Sequence, residues 1–215
     1  MNNYKLYIFD WDGTLMDSVG RIVSSMQAAA LMSNLAKPSS EDAKGIIGLS
    51  LATGIQQLFP EANDEQRETI FANYRKQYLE LNETPSVLFE HTIEMLTALK
   101  AQDKFVTIAT GKAREGLERM WAATDTKHFF HGSRTADDAN SKPHPEMIEQ
   151  LLAEFNVKPT EAVMIGDSAF DLQMAQSAGV DRIGVTMGAG SKAMLTAYQP
   201  KAIVDSIKEL AELIV

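Results

Sequence analysis

Two aspartates, Asp10 and Asp12, stand two residues apart directly after the apolar run Leu6 to Phe9. On an extended segment that spacing aims both carboxylates to the same side, where they repel unless a cation or a proton intervenes. Asp167 supplies a third acid just past the run Ala162 to Ile165, and Asp171 follows it by four residues, on the same face at the start of a helix. Clustered carboxylates of this kind suit a hard, oxygen-seeking ion, most simply Mg²⁺. Thr110, Gly111 and Lys112 follow another run, Phe105 to Ala109, and Lys142 precedes Pro143 ahead of a helix near 145. Gly13 permits a backbone conformation that most residues resist and leaves N–H groups free to face an anion.

For these residues to meet, the runs before them must lie side by side. Leu6 to Phe9, Phe105 to Ala109, Ala162 to Ile165, Arg182 to Val185 and Ala202 to Val204 are rich in Val, Ile and Phe instead of alternating, as expected of strands covered on both faces. A weaker strand is expected near Phe129 and Phe130. Stretches of helical period separate the runs, so the expected fold is α/β: a doubly wound, mainly parallel sheet. Ligands in such sheets bind outside the carboxyl ends of the strands, where the acids, Thr110 and Lys142 fall.

Residues 10 to 104 separate the first two runs, far more chain than one crossover helix needs. A helix is expected over 17 to 35, with Asp17 or Ser18 as N-cap and Ile22, Met26, Ala29 and Ala30 along one face. A short helix follows Pro38, and residues 64 to 81 carry Ile70, Phe71, Tyr74, Tyr78 and Leu81 at helical spacing. Pro85 closes the segment and Glu90 to Lys100 forms the crossover helix. The expected division is an α/β core over 1–15 and 86–215 with a helical cap over 16–85.

Composition narrows the function classes. The 215 residues include 20 Lys and Arg against 29 Asp and Glu, a net charge of −9, with 45% apolar and 23% charged residues. This is the balance of a folded globular chain, and its acidity opposes broad contact with nucleic acid or an anionic membrane. The absence of cysteine excludes disulfides, thiol catalysis and cysteine-ligated metals. The apolar N-terminal stretch is interrupted by Asp10 and Asp12, unlike a signal peptide or a membrane span, so a cytoplasmic address is expected.

The order of these motifs closely resembles that of the haloacid dehalogenase-like hydrolase superfamily. Its Asp-x-Asp-Gly-Thr motif is matched by Asp10 to Thr14, its strand ending in Thr by Phe105 to Thr110, its Lys by Lys142, and its Gly-Asp-x-x-x-Asp by Gly166 to Asp171. The resemblance implies that Asp10 is a nucleophile forming an aspartyl phosphate and that Asp12 is the general acid and base. It implies Mg²⁺ bound by Asp10, the backbone carbonyl of Asp12 and Asp167, with Asp171 in support. Thr110, the backbone amide of Gly111 and Lys142 would hold the phosphoryl oxygens. Asp12, which the dehalogenases of the superfamily lack, favours phosphoryl transfer. Gly111 stands where many of the phosphatases carry Asn. The helical insert and Asp17-Ser18 look most like phosphoglycolate phosphatases and their relatives, and imply a small phosphorylated metabolite as substrate.

A sugar-phosphate mutase of the β-phosphoglucomutase type and a pyrophosphatase share the same core chemistry. A receiver-like signalling domain or a silent binding protein would use part of it, but the Asp-x-Asp spacing and the helical insert oppose the first, and the full motif set opposes the second. Within the insert, Lys44 to Leu49 is expected to form a loop that reaches the leaving group, with Lys44 and Ile46 as specificity residues. Gly188 to Lys192 lacks the glycine directly before lysine that a nucleotide-phosphate loop needs and reads as a loop after a strand. His128 and His131 read as surface or packing residues, and the role of His144, beside Lys142, is left open.

Overall fold

Runs of Val, Ile and Phe become central strands when helices offer both faces somewhere to bury. The computed structural model describes residues 4–215. Its strands are β1 (Leu6–Phe9), β2 (Met16–Asp17), β3 (Val87–Leu88), β4 (Phe105–Ala109), β5 (Gly132–Arg134), β6 (Ala162–Gly166), β7 (Asp181–Val185) and β8 (Ala202–Val204). Six of them form a parallel sheet in the order β5-β4-β1-β6-β7-β8, with β1 central. Side chains alternate between faces, so Tyr7 and Phe9 of β1 enter one buried cluster while Leu6 and Ile8 enter the other. Helices α5 (Thr92–Ala101), α6 (Arg114–Thr124) and α10 (Ile207–Ile214) cover the first face; α7 (Glu146–Phe155) and α8 (Ala169–Ser177) cover the second. The short α9 (Lys192–Thr196) precedes β8.

The five main runs of the sequence are thus β1, β4, β6, β7 and β8. The sixth strand is displaced from its expected position. Phe129 closes a 3₁₀ turn over Lys127–Phe129, and the strand is Gly132–Arg134. The aromatic pair imitates a strand because it is committed to packing: Phe129 is buried in the first cluster, and the Phe130 ring stacks on Trp121 and meets Trp11 edge-on.

Between β2 and β3 the chain forms α1 (Val19–Met32), α2 (Ser40–Lys44), α3 (Leu51–Leu58) and α4 (Asp64–Lys76), which runs on into a π-helical turn over Gln77–Leu81. β2 and β3 pair antiparallel, bringing together the points where this helical segment leaves and returns. Met26, Ala29, Ile46, Ile55 and Ile70 form its buried centre, joined by Phe170 at the start of α8. A second cluster around Ile22, Ile47 and Tyr78 reaches Ala189, in the loop after β7. The helical layer therefore lies over one edge of the sheet. α1 takes Ser18, one of the two expected residues, as its N-cap, but the Ser18 hydroxyl makes no capping bond. Among the described residues, no helix is long and apolar enough to cross a membrane.

Candidate active site

Register brings the motif residues together. Phe9 is level with Ile108 on one side and Ile165 on the other, so Asp10, Thr110 and Asp167 emerge at one edge. The Asp10 N–H donates to the Ile165 carbonyl at 2.9 Å and the Thr110 N–H to Arg134 at 3.0 Å, carrying the ladder just past the strands. Successive connections run outward from β1 in both directions, which makes this edge the switch point where open α/β sheets bind ligands.

Asp10, Asp167 and Asp171 are buried, with carboxylate oxygens within 4.8 Å of one another. One cation reaches two of them. The Lys142 ammonium lies 2.7 Å from Asp10 Oδ1 and 2.6 Å from Asp171 Oδ1. Asp171 Oδ2 accepts from the Ser168 hydroxyl at 2.7 Å and its N–H at 3.1 Å, a capping box that fixes the start of α8. Asp167 accepts from the Thr14 hydroxyl at 3.0 Å and the Ala189 N–H at 2.7 Å. Asp10 Oδ2 is buried and, among the described residues, finds no hydrogen-bond partner.

Burial pushes the Asp10 carboxyl up to about 7 against the pull of Lys142, with Asp171 adding to the rise. Burial likewise holds Asp167 well above its ordinary value, reinforced by Asp171 and Asp10. For Lys142, burial disfavours the ammonium, but Asp10 and Asp171 outweigh it and raise its pKa. Three carboxylates and one ammonium sum to −2 when ionised. A divalent cation brings that sum to zero, and Asp10 Oδ2 is an oxygen free to meet it, so these residues fit a divalent metal. Gly13, at φ 81°, lies against them: a Cβ there would run into the Asp167 carboxylate. The Gly13 N–H itself is taken, donating to the Met16 carbonyl at 2.8 Å, so it is not one of the amides left to face an anion.

Asp12 faces elsewhere. Its carboxylate accepts from the Ser18 hydroxyl at 2.7 Å and pairs with the Lys112 ammonium at 2.8 Å. The hydroxyl that could have capped α1 is thus diverted to Asp12. Lys112 also lies 5.0 Å from the centre of the Tyr78 ring. Asp10, Asp12, Thr110, Gly111 and Lys112 line a cavity of about 290 Å³ whose other walls come largely from the helical layer. The two layers touch closely at Gly111, where a Cβ would collide with the carbonyl oxygens of Gly48 and Leu49. Glycine in place of the frequent asparagine therefore has a steric cause. Beside it, the Ser50 N–H donates to the Ser141 hydroxyl at 2.9 Å.

Of the two specificity residues expected in the insert, Ile46 lines the cavity. Lys44 does not; it ends α2 and pairs with Glu41 at 3.2 Å on the surface. His144 accepts from the Glu146 N–H at 3.3 Å at the start of α7. His131 accepts from the Val106 N–H at 3.1 Å, and His128 packs on Phe129, so both are packing residues. Sequence reasoning gave no site role to Ser18, named only as an N-cap, to Lys112, named only as following the second run, or to Ser168 and Ala189. Ser168 carried a readable signal, since Ser-x-x-Asp before an apolar stretch is a capping box. Ala189 acts through its backbone and carried none.

The chain is similar over nearly its whole length to IndB of Dickeya dadantii, which bears the name of a phosphatase: 33% identity over 214 residues, 95% of this chain and 91% of that protein. It is 31% identical over 204 residues to the pyrophosphatase PpaX of Bacillus cereus, covering 94% and 93%. A crystal structure of a haloacid dehalogenase-like hydrolase from Bacteroides fragilis superposes with a TM-score of 0.88 at 27% identity, covering 96% of this chain and 99% of that one. The sequence profile of the haloacid dehalogenase-like hydrolases matches residues 7–185, and the chain belongs to that family, among its phosphatases.

Proposed function

We propose that this protein is a Mg²⁺-dependent phosphomonoester hydrolase that acts on a small phosphorylated metabolite through an aspartyl phosphate on Asp10. One observation carries the reading: at the switch point of the sheet, Asp10 has one oxygen on Lys142 at 2.7 Å and the other buried and unpartnered beside a cavity. Asp10, Asp167 and the backbone carbonyl of Asp12 would hold Mg²⁺, with Asp171 in support. The ion, when bound, offsets repulsion between Asp10 and a phosphate dianion.

The residues then divide the work. Thr110, the Gly111 amide and Lys142 take the phosphoryl oxygens; an ammonium has three donors, and two of those on Lys142 are engaged by Asp10 and Asp171. A carboxylate oxygen of Asp10 attacks phosphorus as the bond to the leaving oxygen breaks. Asp12 takes up a proton from solvent as the substrate binds and gives it to that oxygen. It then takes a proton from the water that attacks the same phosphorus, releasing phosphate and restoring Asp10. Residues 16–85 serve as a cap that excludes bulk water, its loop against Gly111 setting how close the layers come.

The test is phosphate release from a panel of phosphomonoesters and pyrophosphate, with and without Mg²⁺, using Asp10→Asn as blank. Turnover should require both the metal and Asp10. Near wild-type rates in Asp10→Asn would remove Asp10 as nucleophile, and conversion of β-glucose 1-phosphate to an isomer without free phosphate would make the enzyme a mutase.

A further inference from the structure

We propose that the cavity selects phosphomonoesters whose leaving alcohol is uncharged and carries an apolar body. This rests on the hydrolase reading above and specifies the alcohol, which that reading leaves unnamed.

Charge points first. Beyond Asp10, three acids and three cations line the cavity: Asp12, Glu115 and Asp137 against Arg75, Lys112 and Arg119. Each cation already has a partner. Lys112 is on Asp12 at 2.8 Å; Arg75 and Arg119 both converge on Glu115, at 2.7 and 3.0 Å. An anionic leaving group such as glycolate, or the second phosphate of pyrophosphate, would meet a wall whose formal charges sum to zero, and would have to compete with Asp12 for Lys112 or with Glu115 for the arginines. The remaining walls point the same way. Met26, Ile46, Leu49, Phe71, Tyr74 and Met120 give the cavity an aliphatic and aromatic lining. Such a lining gains from apolar area removed from water and offers a carboxylate nothing. Glu115 is the carboxylate that both arginines contact, and its side chain is 59% exposed, so changing it leaves the core intact.

The test compares kcat/KM for 3-phenylpropyl phosphate, ethyl phosphate, phosphoglycolate and pyrophosphate with Mg²⁺ present. The two neutral alcohols leave with similar intrinsic ease, so their ratio reports the cavity. The phenylpropyl ester should exceed ethyl phosphate by about tenfold or more, the order expected from burying one ring, and phosphoglycolate should fall below ethyl phosphate. Glu115→Gln uncovers positive charge and should raise the ratio of phosphoglycolate to ethyl phosphate several-fold. A wild-type preference for phosphoglycolate or pyrophosphate, or an unchanged ratio in Glu115→Gln, overturns the assignment. Calorimetric binding of the same compounds to Mg²⁺-loaded Asp10→Asn separates the two readings. If no ester is hydrolysed yet the phenylpropyl ester binds tightest, the hydrolase reading falls and the ligand class stands; if the esters bind alike, the ligand class falls.

Discussion

Asp10 and Asp171 share the ammonium of Lys142 and Asp167 lies within 4.8 Å of both, all away from water, so with all three ionised the metal-free fold confines two uncompensated negative charges. In the unfolded chain a carboxyl titrates near pH 4, whereas burial moves Asp10 up to about 7 in the folded one and Asp167 in the same direction. Between those values the folded state keeps protons that the unfolded state releases, and stability from these groups falls as pH rises. In EDTA, the melting temperature of the wild type relative to Asp10→Asn should therefore drop between about pH 4 and pH 7. Mg²⁺ should restore it, most strongly at the upper end. Parallel melting curves for the two proteins across that range would contradict the assignment of buried charge to Asp10.

At the scale of elements, the approach of the loop around Gly48 and Leu49 to the end of β4 sets the geometry. Gly111→Ala places a methyl against two carbonyl oxygens, so either the loop or the strand end must shift. Overpacking of this kind typically costs about 1–3 kcal/mol. The expected result is a lower melting temperature together with a raised KM, since the displaced loop borders the cavity; unchanged kinetics would mean that the loop yields without effect on substrate. This contact also marks what the sequence could and could not reveal. Asp10, Thr110, Asp167 and Asp171 were legible because each follows or opens an element that hydrophobic patterning locates. Gly132–Arg134 was not, as a short edge strand with two polar residues, and Phe129 and Phe130 drew the expectation to the wrong place. The roles of Lys112 and Glu115 depend on partners distant in sequence or on an approach between layers, which no spacing within one element encodes.

Over the whole molecule, the layers meet through the loop near Gly48, Phe170 and Ala189, and the Arg75–Glu115 pair. That pair is exposed on both sides, so it contributes at most about 1 kcal/mol to holding the layers together. The wider field opposes the substrate. A net charge of −9 becomes −9 + 2 = −7 with one divalent cation bound, and an approaching phosphate dianion is repelled by it until within reach of Lys142 and the metal. Salt screens charges separated by more than about 10 Å at ~0.1 M but acts little on a buried pair, so it should weaken the long-range repulsion more than the contacts at Asp10 and Lys142. At fixed free Mg²⁺, kcat/KM for a dianionic ester should rise about two- to threefold between low and physiological ionic strength, with kcat nearly constant. A fall over that range would mean that a positive local field extends beyond the cavity mouth and steers the substrate in despite the net charge.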